Sequence, residues 1–423
     1  MFIVYDIIFA LFAVLYFPCM IFRGKWHAGF KTRFGNLDSL VAKTGTDGPR
    51  LWIHAVSVGE VLAVVDLIRR IKEKFPQYAV VFSTVTKTGY QLANEQLGAE
   101  SAVIYAPLDF SWVVRKFIKL IDPKIYISTE TEIWPNLYTA LCKKGVPIVQ
   151  INGRISDKAY KGYQRVRFLT KRVLACVNIF CMQSALDAER IVRLGGAAKD
   201  VRVVGNMKFD TVPSAAKISK TDLGFREEDD LLIAGSTHPG EEDILIDVYR
   251  QLAGKRDRLR LIIAPRHVER AEALAELIET RGYKPIRFSQ GRCSDTDAKS
   301  IVVVDTIGRL RELYSLATVV VIGKTFTVGV GQNMIEAASF GKPTVVGPLT
   351  QNFKDAMDIF LKAGALMQVG DAQGLLKAID HLLSDPQRAR ALGEKAKETV
   401  ARYQGATAKT LEAISEILLL RSG

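Results

Sequence analysis

Three carboxylates follow apolar, β-rich runs of this sequence, where they could act on a substrate. Glu60 lies in HAVSVGEV (54–61), just after the run LWIHAV. Glu130 and Glu132 lie in KIYISTETEIWPN (124–136), with no basic residue between or beside them. Buried charge is costly unless something uses it. A carboxylate at a strand end is therefore a candidate general base, or a group that stabilises positive charge.

Each of these carboxylates also has a purely structural interpretation. Ser57-x-x-Glu60 matches a capping box, in which both residues satisfy free N–H groups at a helix start. Glu130 and Glu132 could be solvated acids of a surface turn, although the following Trp-Pro pair favours a rigid turn. Residues two apart on an extended segment point the same way, so both glutamates could face one cleft.

Basic residues lie at other strand ends and could bind an anion. Lys208, in VVGNMKFD, lies just before a polar segment, where it could reach a ligand or be an ordinary exposed lysine. Arg266 and His267 follow another apolar run, and the arginine fork suits a phosphate. GSTHPGEE (235–242) is typical of a strand, a tight turn and a helix start, whose N–H groups suit an anion. Simple capping by Thr237 with a following glutamate is the alternative there.

VGVGQNMIEAASFGKP (328–343) is the strongest single signal in the chain. Its glycines open a helix, and Glu336 lies one turn in, where it could accept hydrogen bonds from both ribose hydroxyls. With the buried strand that follows, this is the donor-nucleotide arrangement of two-domain glycosyltransferases. Asp295 and Asp297 have the spacing of a metal-binding pair, but they lie in a polar loop and we assign no metal to them.

The elements that must position these residues are parallel strands. Val- and Ile-rich runs alternate with helical patterns after residue 50, which predicts α/β sheets covered on both faces. The predicted strands are 51–56, 79–84, 102–106, 124–129, 147–151, 178–182, 201–205, 231–236, 260–265, 301–305, 318–323 and 343–347. Ligands of such sheets bind beyond the carboxyl ends of the strands.

A polar, Pro-containing segment divides the pattern into two halves. We therefore expect a domain at 23–209, a linker at 210–222 and a second domain at 223–423. Residues 1–22 form a membrane-anchor helix in this prediction, since 2–22 are apolar apart from Asp6 and long enough to cross a bilayer. The basic flank that follows places that side in the cytoplasm. A buried or interfacial helix is the alternative.

The net charge limits the classes of partner that we expect, and the cysteine content indicates the cellular compartment. The formal net charge of +13 indicates an acidic partner, namely nucleic acid, anionic lipid or a phosphorylated substrate. Basic and aromatic residues alternate in 156–173, which suits a phosphorylated lipid, or else is only a solvated helix face. No RNA-binding motif is present, so we do not expect nucleic acid as a partner. Five cysteines without a C-x-x-C pair favour a reducing compartment.

Taken together, these segments resemble the bacterial 3-deoxy-D-manno-octulosonic acid (Kdo) transferases, which attach Kdo from CMP-Kdo to the lipid A precursor. The resemblance covers nearly the whole chain and rests on WIHAVSVGEV, TETEIWPN, INGRIS, GNMKFD, GSTHPGEE, APRH and QNMIEAASFGKP. It implies a GT-B fold, in which two Rossmann-like domains face a central cleft, with the acceptor domain first and the nucleotide domain second.

The resemblance also implies roles for individual residues. The proton acceptor falls on Glu60, and the groups that stabilise the transition state fall on Glu130 and Lys208. The implied contacts to CMP are Arg266, His267, Gly308, Arg309, Leu310, Asn333, Met334, Ile335 and Glu336. Two positions depart from the family's pattern. Arg309 stands where Glu is usual, which leaves a backbone contact, and Gln332 stands where a histidine usually precedes Asn333.

The implied reaction is an inverting transfer to a primary hydroxyl of the phosphorylated lipid A precursor, lipid IVA. We expect no cofactor and no metal, because departing CMP carries only one phosphate to neutralise. The expected location is the bacterial inner membrane, in contact with anionic lipid, with the catalytic domains on the cytoplasmic face. Two other classes stay open: a UDP-sugar transferase or epimerase of the same fold, and a non-enzymatic membrane-tethered binder.

Overall fold

Two compact units make up the chain in a computed structural model, which describes residues 5–11, 13, 28–35, 48–210, 218–290 and 299–420. The first domain comprises residues 1–210 together with 404–423, and the second comprises 211–403. Each contains a seven-stranded sheet in which all strands pair in parallel.

The first sheet has the strand order β3-β2-β1-β4-β5-β6-β7. Its strands are β1 Arg50–His54, β2 Ala79–Thr84, β3 Ala102–Tyr105, β4 Pro123–Thr129, β5 Ile148–Gly153, β6 Ile179–Met182 and β7 Val201–Val203. Leu51 and Ile53 point to one face of the sheet and Trp52 points to the other, and all three are fully buried. Both faces therefore carry an apolar core, as the continuous Val and Ile runs predicted.

Helices cover both faces of this sheet. They are α1 Val58–Lys74, α2 Lys87–Leu97, α3 Ser111–Ile121, α4 Pro135–Lys143, α5 Asp157–Arg165, α6 Arg167–Leu174 and α7 Ala185–Leu194. Helices α1 and α2 contribute to one core, while α3, α4, α6 and α7 contribute to the other. The carboxyl ends of the strands stay open to carry functional side chains.

The second sheet has the order β10-β11-β9-β8-β12-β13-β14. Its strands are β8 Asp230–Thr237, β9 Leu259–Pro265, β10 Lys284–Arg287, β11 Ser300–Val303, β12 Val319–Ile322, β13 Thr344–Val346 and β14 Met367–Gln368. The helices around it are α8 Glu241–Ala253, α9 Ala271–Thr280, α10 Leu310–Leu316, α11 Ile335–Ser339, α12 Lys354–Lys362, α13 Ala372–Ser384 and α14 Pro386–Tyr403.

The last helix, α15 (Ala406–Leu419), corrects the predicted domain boundaries. We expected the second domain to run from 223 to 423, but α15 packs on the first domain. Its apolar residues Ala413 and Ile414 join the same core as α1. At the start of the helix, the Asp210 carboxylate accepts hydrogen bonds from the backbone N–H groups of Gly405 and Thr407. Of the predicted linker, residues 211–217 lie outside the described part of the chain.

The N-terminal segment is described only in part. Residues 5–11 are helical, and the Asp6 carboxylate accepts hydrogen bonds from the Ser111 N–H and hydroxyl at 3.0 and 2.6 Å and from the Asn136 amide at 2.7 Å. Asp6 thus caps helix α3, which accounts for the one acid in an apolar run. Among the described residues, no helix is both long and apolar enough to cross a bilayer. Most of the predicted anchor, 1–22, lies outside them.

Candidate functional site

Glu60 lies in the first turn of α1, directly beyond β1. Its carboxylate accepts a hydrogen bond from the Val56 N–H at 2.8 Å and another from the Ser57 hydroxyl at 2.8 Å. The Ser57 side chain makes no capping hydrogen bond to the backbone, so only part of the capping-box alternative is realised. Ser57 instead orients the carboxylate, and Glu60 is both a helix-start residue and a positioned acid.

The electrostatic surroundings of Glu60 give it the acidity of a general base. Burial of the side chain, followed by the charge of Glu130, raises the pKa of Glu60 to about 7. The hydrogen bonds from Val56 and Ser57 and the charge of Lys208 act in the opposite direction. A carboxyl group with a pKa near the working pH can both accept a proton and release it, which is the requirement for general acid–base catalysis.

Glu130 follows β4 in a left-handed backbone conformation, with φ of 57°. Its N–H donates to the Ile151 carbonyl at 2.8 Å, and its carbonyl accepts from the Gln150 side-chain amide at 2.8 Å. The predicted strand end at Thr129 is confirmed, but the expectation that Glu130 and Glu132 lie on an extended segment is wrong, because the chain turns at Glu130. A left-handed residue with a side chain costs about 1–2 kcal/mol, and such strain concentrates at functional sites.

Lys208 supplies a positive charge next to Glu130. Its Nζ atom lies 3.4 Å from Oε1 of Glu130. The lysine belongs to a short 3₁₀ helix, Met207–Asp210, whose first N–H donates to Asn152 Oδ1 at 3.1 Å. A carboxylate and an ammonium group are thus brought together from segments 78 residues apart.

Asn152 is a site residue that sequence reasoning missed. It lies near the end of β5, is fully buried and has a φ of 51°, so two neighbouring strands carry left-handed residues at their carboxyl ends. Asparagine tolerates this conformation better than most residues. The Asn-Gly pair at 152–153 was the available signal, since it favours a positive φ within an apolar run.

Glu132 belongs electrostatically to the same group of acids. Burial, followed by the charge of Glu60, raises the pKa of Glu132 to about 7, and a hydrogen bond from the Trp134 side chain opposes this. Trp134 precedes α4, whose first residue is Pro135. The turn is therefore rigid, and the hydrogen bond from Trp134 connects Glu132 to the start of α4.

In the second domain, Arg266 and His267 follow the end of β9. The Arg266 N–H donates to the Thr237 carbonyl at 3.0 Å, which joins this loop to the end of β8. The rings of His267 and His238 lie edge to face, with centroids 5.8 Å apart. The structure brings Arg266 and His267 to one edge of the sheet together with the GSTHPGEE segment, as the strand pattern predicted.

The segment from Gly308 to Leu310 opens helix α10. Gly308 has a φ of 84°, a conformation that glycine adopts readily. The Arg309 guanidinium lies 3.0 Å from the Glu312 carboxylate and 5.7 Å from the centroid of the Phe288 ring. The side chain that departs from the family's pattern is thus held by two neighbours of its own, and the backbone of the segment stays available for a contact.

The segment Asn333, Met334, Ile335 and Glu336 forms the start of α11. The Asn333 side chain accepts from the Ile335 N–H at 3.0 Å and donates to the Glu336 carboxylate at 3.2 Å. Burial raises the pKa of Glu336, while the charges of Arg311 and Arg266 act in the opposite direction. A half-buried carboxylate within the electrostatic influence of these cations is a suitable acceptor for hydroxyl groups.

The same domain holds a second feature that sequence reasoning missed. Glu241, the first residue of α8, was considered only as a cap, but its carboxylate accepts four backbone N–H groups. Three of these belong to the turn that follows β12. Lys324 in this turn has a φ of 58°, and Ser236 at the end of β8 has a φ of 59°. The local sequence does not reveal this role of Glu241, because three of its four partners lie 83–85 residues away.

Among the described residues, no group of three or more His, Cys, Asp or Glu side chains is placed to hold a metal ion. Asp295 and Asp297 lie outside the described part of the chain. The expectation that no metal is needed therefore stays a prediction.

The basic segment 156–173 forms the two short helices α5 and α6. No residue of α5 is buried, and Phe168 in α6 is 74% exposed. The six basic side chains of the two helices are all exposed: Lys158, Lys161, Arg165, Arg167, Lys171 and Arg172. Tyr160 and Tyr163 instead pack partly against the core. The result is a cationic surface with one exposed aromatic ring.

Comparison with known families gives a match in each domain. The profile of a family described as 3-deoxy-D-manno-octulosonic-acid transferase (kdotransferase) matches residues 28–211. A family described as glycosyl transferases group 1 matches residues 241–399.

Relatives named 3-deoxy-D-manno-octulosonic acid transferase match most of the chain. The protein from Bordetella pertussis is 30% identical over 405 residues, which cover 93% of each chain. The protein from Haemophilus influenzae is 27% identical over 372 residues, which cover 87% of each chain.

Solved structures agree with the GT-B fold. UDP-GlcNAc 2-epimerase from Neisseria meningitidis bound to UDP-GlcNAc has a TM-score of 0.59 and covers 88% of this chain and all of its own. At 13% identity the likeness shows the fold alone.

Proposed function

This chain belongs to the Kdo transferase family of glycosyltransferases, and on that premise we propose that it moves Kdo from CMP-Kdo to a primary hydroxyl of lipid IVA with inversion. The observation that carries the proposal is the arrangement around Glu60. A positioned carboxylate with a pKa of about 7 lies within the electrostatic influence of the strained Glu130–Lys208 pair. These are the groups that a single displacement at an anomeric carbon requires.

Glu60 is the general base in this proposal. The acceptor hydroxyl must lose its proton as its oxygen attacks the anomeric carbon of Kdo. The N–H of Val56 and the hydroxyl of Ser57 fix the direction of the Glu60 carboxylate, so no side-chain freedom is lost when the acceptor binds. General-base catalysis of this kind typically contributes about 10²–10⁴-fold in rate.

Glu130 and Lys208 act on the charge that develops during transfer. The anomeric carbon gains positive charge as its bond to CMP lengthens, and a fixed carboxylate stabilises that charge. The hydrogen bonds of the Glu130 backbone to Ile151 and Gln150 hold it in its left-handed conformation. Lys208, 3.4 Å from Glu130, offsets the charge of the carboxylate in the resting site and can share in the charge of the leaving group.

The second domain binds the donor in this proposal. Arg266 and the segments 308–310 and 333–336 would take CMP, with Arg266 donating to the phosphate and Glu336 accepting from ribose hydroxyls. CMP leaves with one phosphate rather than two, so its charge can be met by side chains and N–H groups without a metal ion.

We place the enzyme at the inner membrane, with the catalytic domains on the cytoplasmic side. The apolar run 2–22 and the basic flank after it support this location. So do the exposed side chains of Ile7, Ile8 and Leu11, on a helix that Asp6 holds against the first domain. The cationic surface of α5 and α6 suits the phosphates of lipid IVA and of anionic lipid.

A second candidate is an enzyme of the same fold that uses a UDP-linked sugar. The likeness to a UDP-GlcNAc 2-epimerase favours this alternative at the level of fold. Fold alone does not determine which nucleotide is bound. Competition by CMP and by UDP for the donor separates the two enzymes, while a non-enzymatic binder would release no CMP at all.

The test is incubation of the full-length protein with CMP-Kdo and a tetra-acylated lipid A precursor, followed by mass spectrometry of the lipid. We expect a product heavier by one or more Kdo residues, and CMP released in equal amount. An unchanged lipid, or inhibition by UDP but not by CMP, would contradict the proposal.

A further inference from the structure

The turn after β12 is held by a buried carboxylate rather than by its own sequence. Glu241 is 1% exposed. Its Oε2 accepts the N–H groups of Lys324 at 2.6 Å and His238 at 2.9 Å, and its Oε1 accepts those of Thr325 at 2.8 Å and Phe326 at 2.9 Å. Hydrogen bonds from four N–H donors to one carboxylate fix the backbone of the turn as a rigid unit.

Two close contacts position Lys324, the first through its side chain and the second through the neighbouring backbone. A Cβ atom added at Gly329 would lie 2.2 Å from Lys324 Cγ, so the lysine stem runs directly across the glycine backbone. A Cβ atom at Gly323 would lie 2.5 Å from the Ser236 carbonyl oxygen and from the Thr237 Cα, so the ends of β8 and β12 touch. The lysine is thus presented from a fixed backbone along a fixed path.

The charges around this turn are mainly positive. Burial lowers the pKa of His238, and the charges of Lys324, His267 and Arg270 lower it further. The Lys324 ammonium is therefore within electrostatic range of His238, whose ring contacts that of His267. Of the two glutamates that open α8, Glu241 is bound by backbone N–H groups, and Glu242 pairs with Arg270 at 2.9 Å. An anion entering here would meet cations and few competing carboxylates.

We propose that Lys324 binds an anionic oxygen group of the donor, in a subsite at the carboxyl ends of β8 and β12. The inference rests on the proposed function and extends it, because Lys324 is not among the residues that the family resemblance assigns to CMP. Through the ring contact between His238 and His267, the subsite is continuous with a residue that it does assign. CMP-Kdo carries two such anionic groups, the phosphate and the sugar carboxylate.

Calorimetry with CMP and with cytidine, combined with steady-state kinetics with CMP-Kdo, tests the subsite. Lys324→Met removes the charge and keeps the length of the side chain, and Lys324→Arg keeps the charge. Lys362→Met, at the end of α12, is the matched control. Thermal melts of all three variants establish that they are folded before binding is compared.

We expect Lys324→Met to weaken one donor interaction about 10-fold, the effect of losing a charge-assisted hydrogen bond. Weaker CMP binding with unchanged cytidine binding assigns Lys324 to the phosphate. Unchanged CMP binding with a raised KM for CMP-Kdo assigns it to the carboxylate. Lys324→Arg should retain most of the interaction in either case, and Lys362→Met should behave as wild type.

A Lys324→Met variant within two-fold of wild type in CMP affinity and in KM for CMP-Kdo would overturn the inference while leaving the transferase proposal intact. A wild-type protein that bound no CMP would instead overturn the proposed function, and the inference with it.

Discussion

The Ser57 hydroxyl and the burial of Glu60 act on the same carboxylate in opposite directions. Burial disfavours the ionised form, whereas the hydrogen bonds from Ser57 and Val56 favour it. The result, a pKa of about 7, leaves a substantial ionised fraction near neutral pH. Ser57 is therefore a positioning residue whose removal should change the acidity of the base as well as its orientation.

We predict that Ser57→Ala moves the acid limb of the kcat/KM profile to higher pH. Losing a donor to the ionised form raises the pKa of Glu60, so a larger fraction of Glu60 is protonated at a given pH. One hydrogen bond of about 1 kcal/mol corresponds to roughly 0.7 of a pH unit. The measurement is kcat/KM from pH 5 to 9. Ser57→Thr keeps the hydroxyl and should restore the wild-type profile. If kcat/KM of Ser57→Ala were lower by the same factor at every pH, with the acid limb unmoved, Ser57 would have no effect on the pKa of Glu60.

A second prediction concerns Glu132 and the stability of the first domain. The folded-state pKa of Glu132, about 7, lies above its ordinary value of 4.5, so stability is greatest below that ordinary value and is lost as pH rises through about 7. Glu132→Gln cannot ionise and escapes this loss. We expect the variant to gain of the order of 1–2 kcal/mol over wild type at pH 8 and little at pH 4.5.

The measurement for Glu132→Gln is the denaturation midpoint of full-length protein at the two pH values. Glu95→Gln, at an exposed position of α2, is the control and should change neither value. An equal effect of Glu132→Gln at both pH values would rule out ionisation as its cause.

At the scale of elements, the apolar runs of the sequence predicted the buried strands and missed the two strands that are half-exposed. All twelve predicted strands are present. Strands β10 and β14 were not predicted, and both lie at the edges of the second sheet with half-exposed residues. An edge strand buries little on either face, so its sequence carries no continuous apolar run. The left-handed residues at the ends of β4 and β5 also escaped prediction. Hydrogen bonds to β5 hold Glu130, whereas the Asn-Gly pair at 152–153 was a local signal that we did not use.

Helix α15 shows a different limit of sequence reasoning. Its apolar stripe predicts a helix that packs against a sheet, but it does not predict which of the two sheets that is. The structure places Ile414 and Ala413 in the core shared with α1, and Arg202 forms two hydrogen bonds of 2.7 and 2.6 Å to Glu416. The C-terminal helix is therefore part of the domain that carries Glu60.

We predict that Ile414→Ala destabilises the first domain by about 2–4 kcal/mol, the usual cost of a large-to-small change in a core. Because Ile414 belongs to the first domain, the affinity for CMP should change little in native conditions. Chemical denaturation followed by tryptophan fluorescence, with calorimetry for CMP, makes the comparison, because all four tryptophans belong to the first domain. Glu412→Ala, exposed on the same helix, is the control. A loss of CMP affinity without loss of first-domain stability would contradict this assignment.

At the scale of the whole molecule, the chain joins the α/β domain that carries Glu60 to a second α/β domain and carries a net charge of +13. The excess charge suits an anionic membrane and a phosphorylated acceptor. The fold is shared with enzymes of other chemistry, so the specific function depends on a small number of side chains at the strand ends.

We predict that replacing Ile7, Ile8 and Leu11 with serine reduces binding to anionic vesicles at least 10-fold. These side chains are exposed, so Asp6 can still cap α3 in the variant. The residual binding should come from basic residues and should weaken at high salt, because the Debye length falls to about 3 Å at 1 M. Vesicle sedimentation at low and high salt makes the measurement, with Leu361→Ser as the control. Unchanged binding by the triple variant would exclude this helix as the contact.

The most direct test of the account is the rate of Kdo transfer by Glu60→Gln. The glutamine keeps the size of the side chain and an oxygen acceptor for the Val56 N–H, and its NH2 group can donate to the Ser57 hydroxyl, but it cannot take a proton. We predict that single-turnover transfer to lipid IVA falls about 10²-fold or more, while CMP affinity and thermal stability stay close to wild type. A variant that folded, bound CMP and kept more than about a tenth of the wild-type rate would contradict the account, because Glu60 would then be only a helix-start residue.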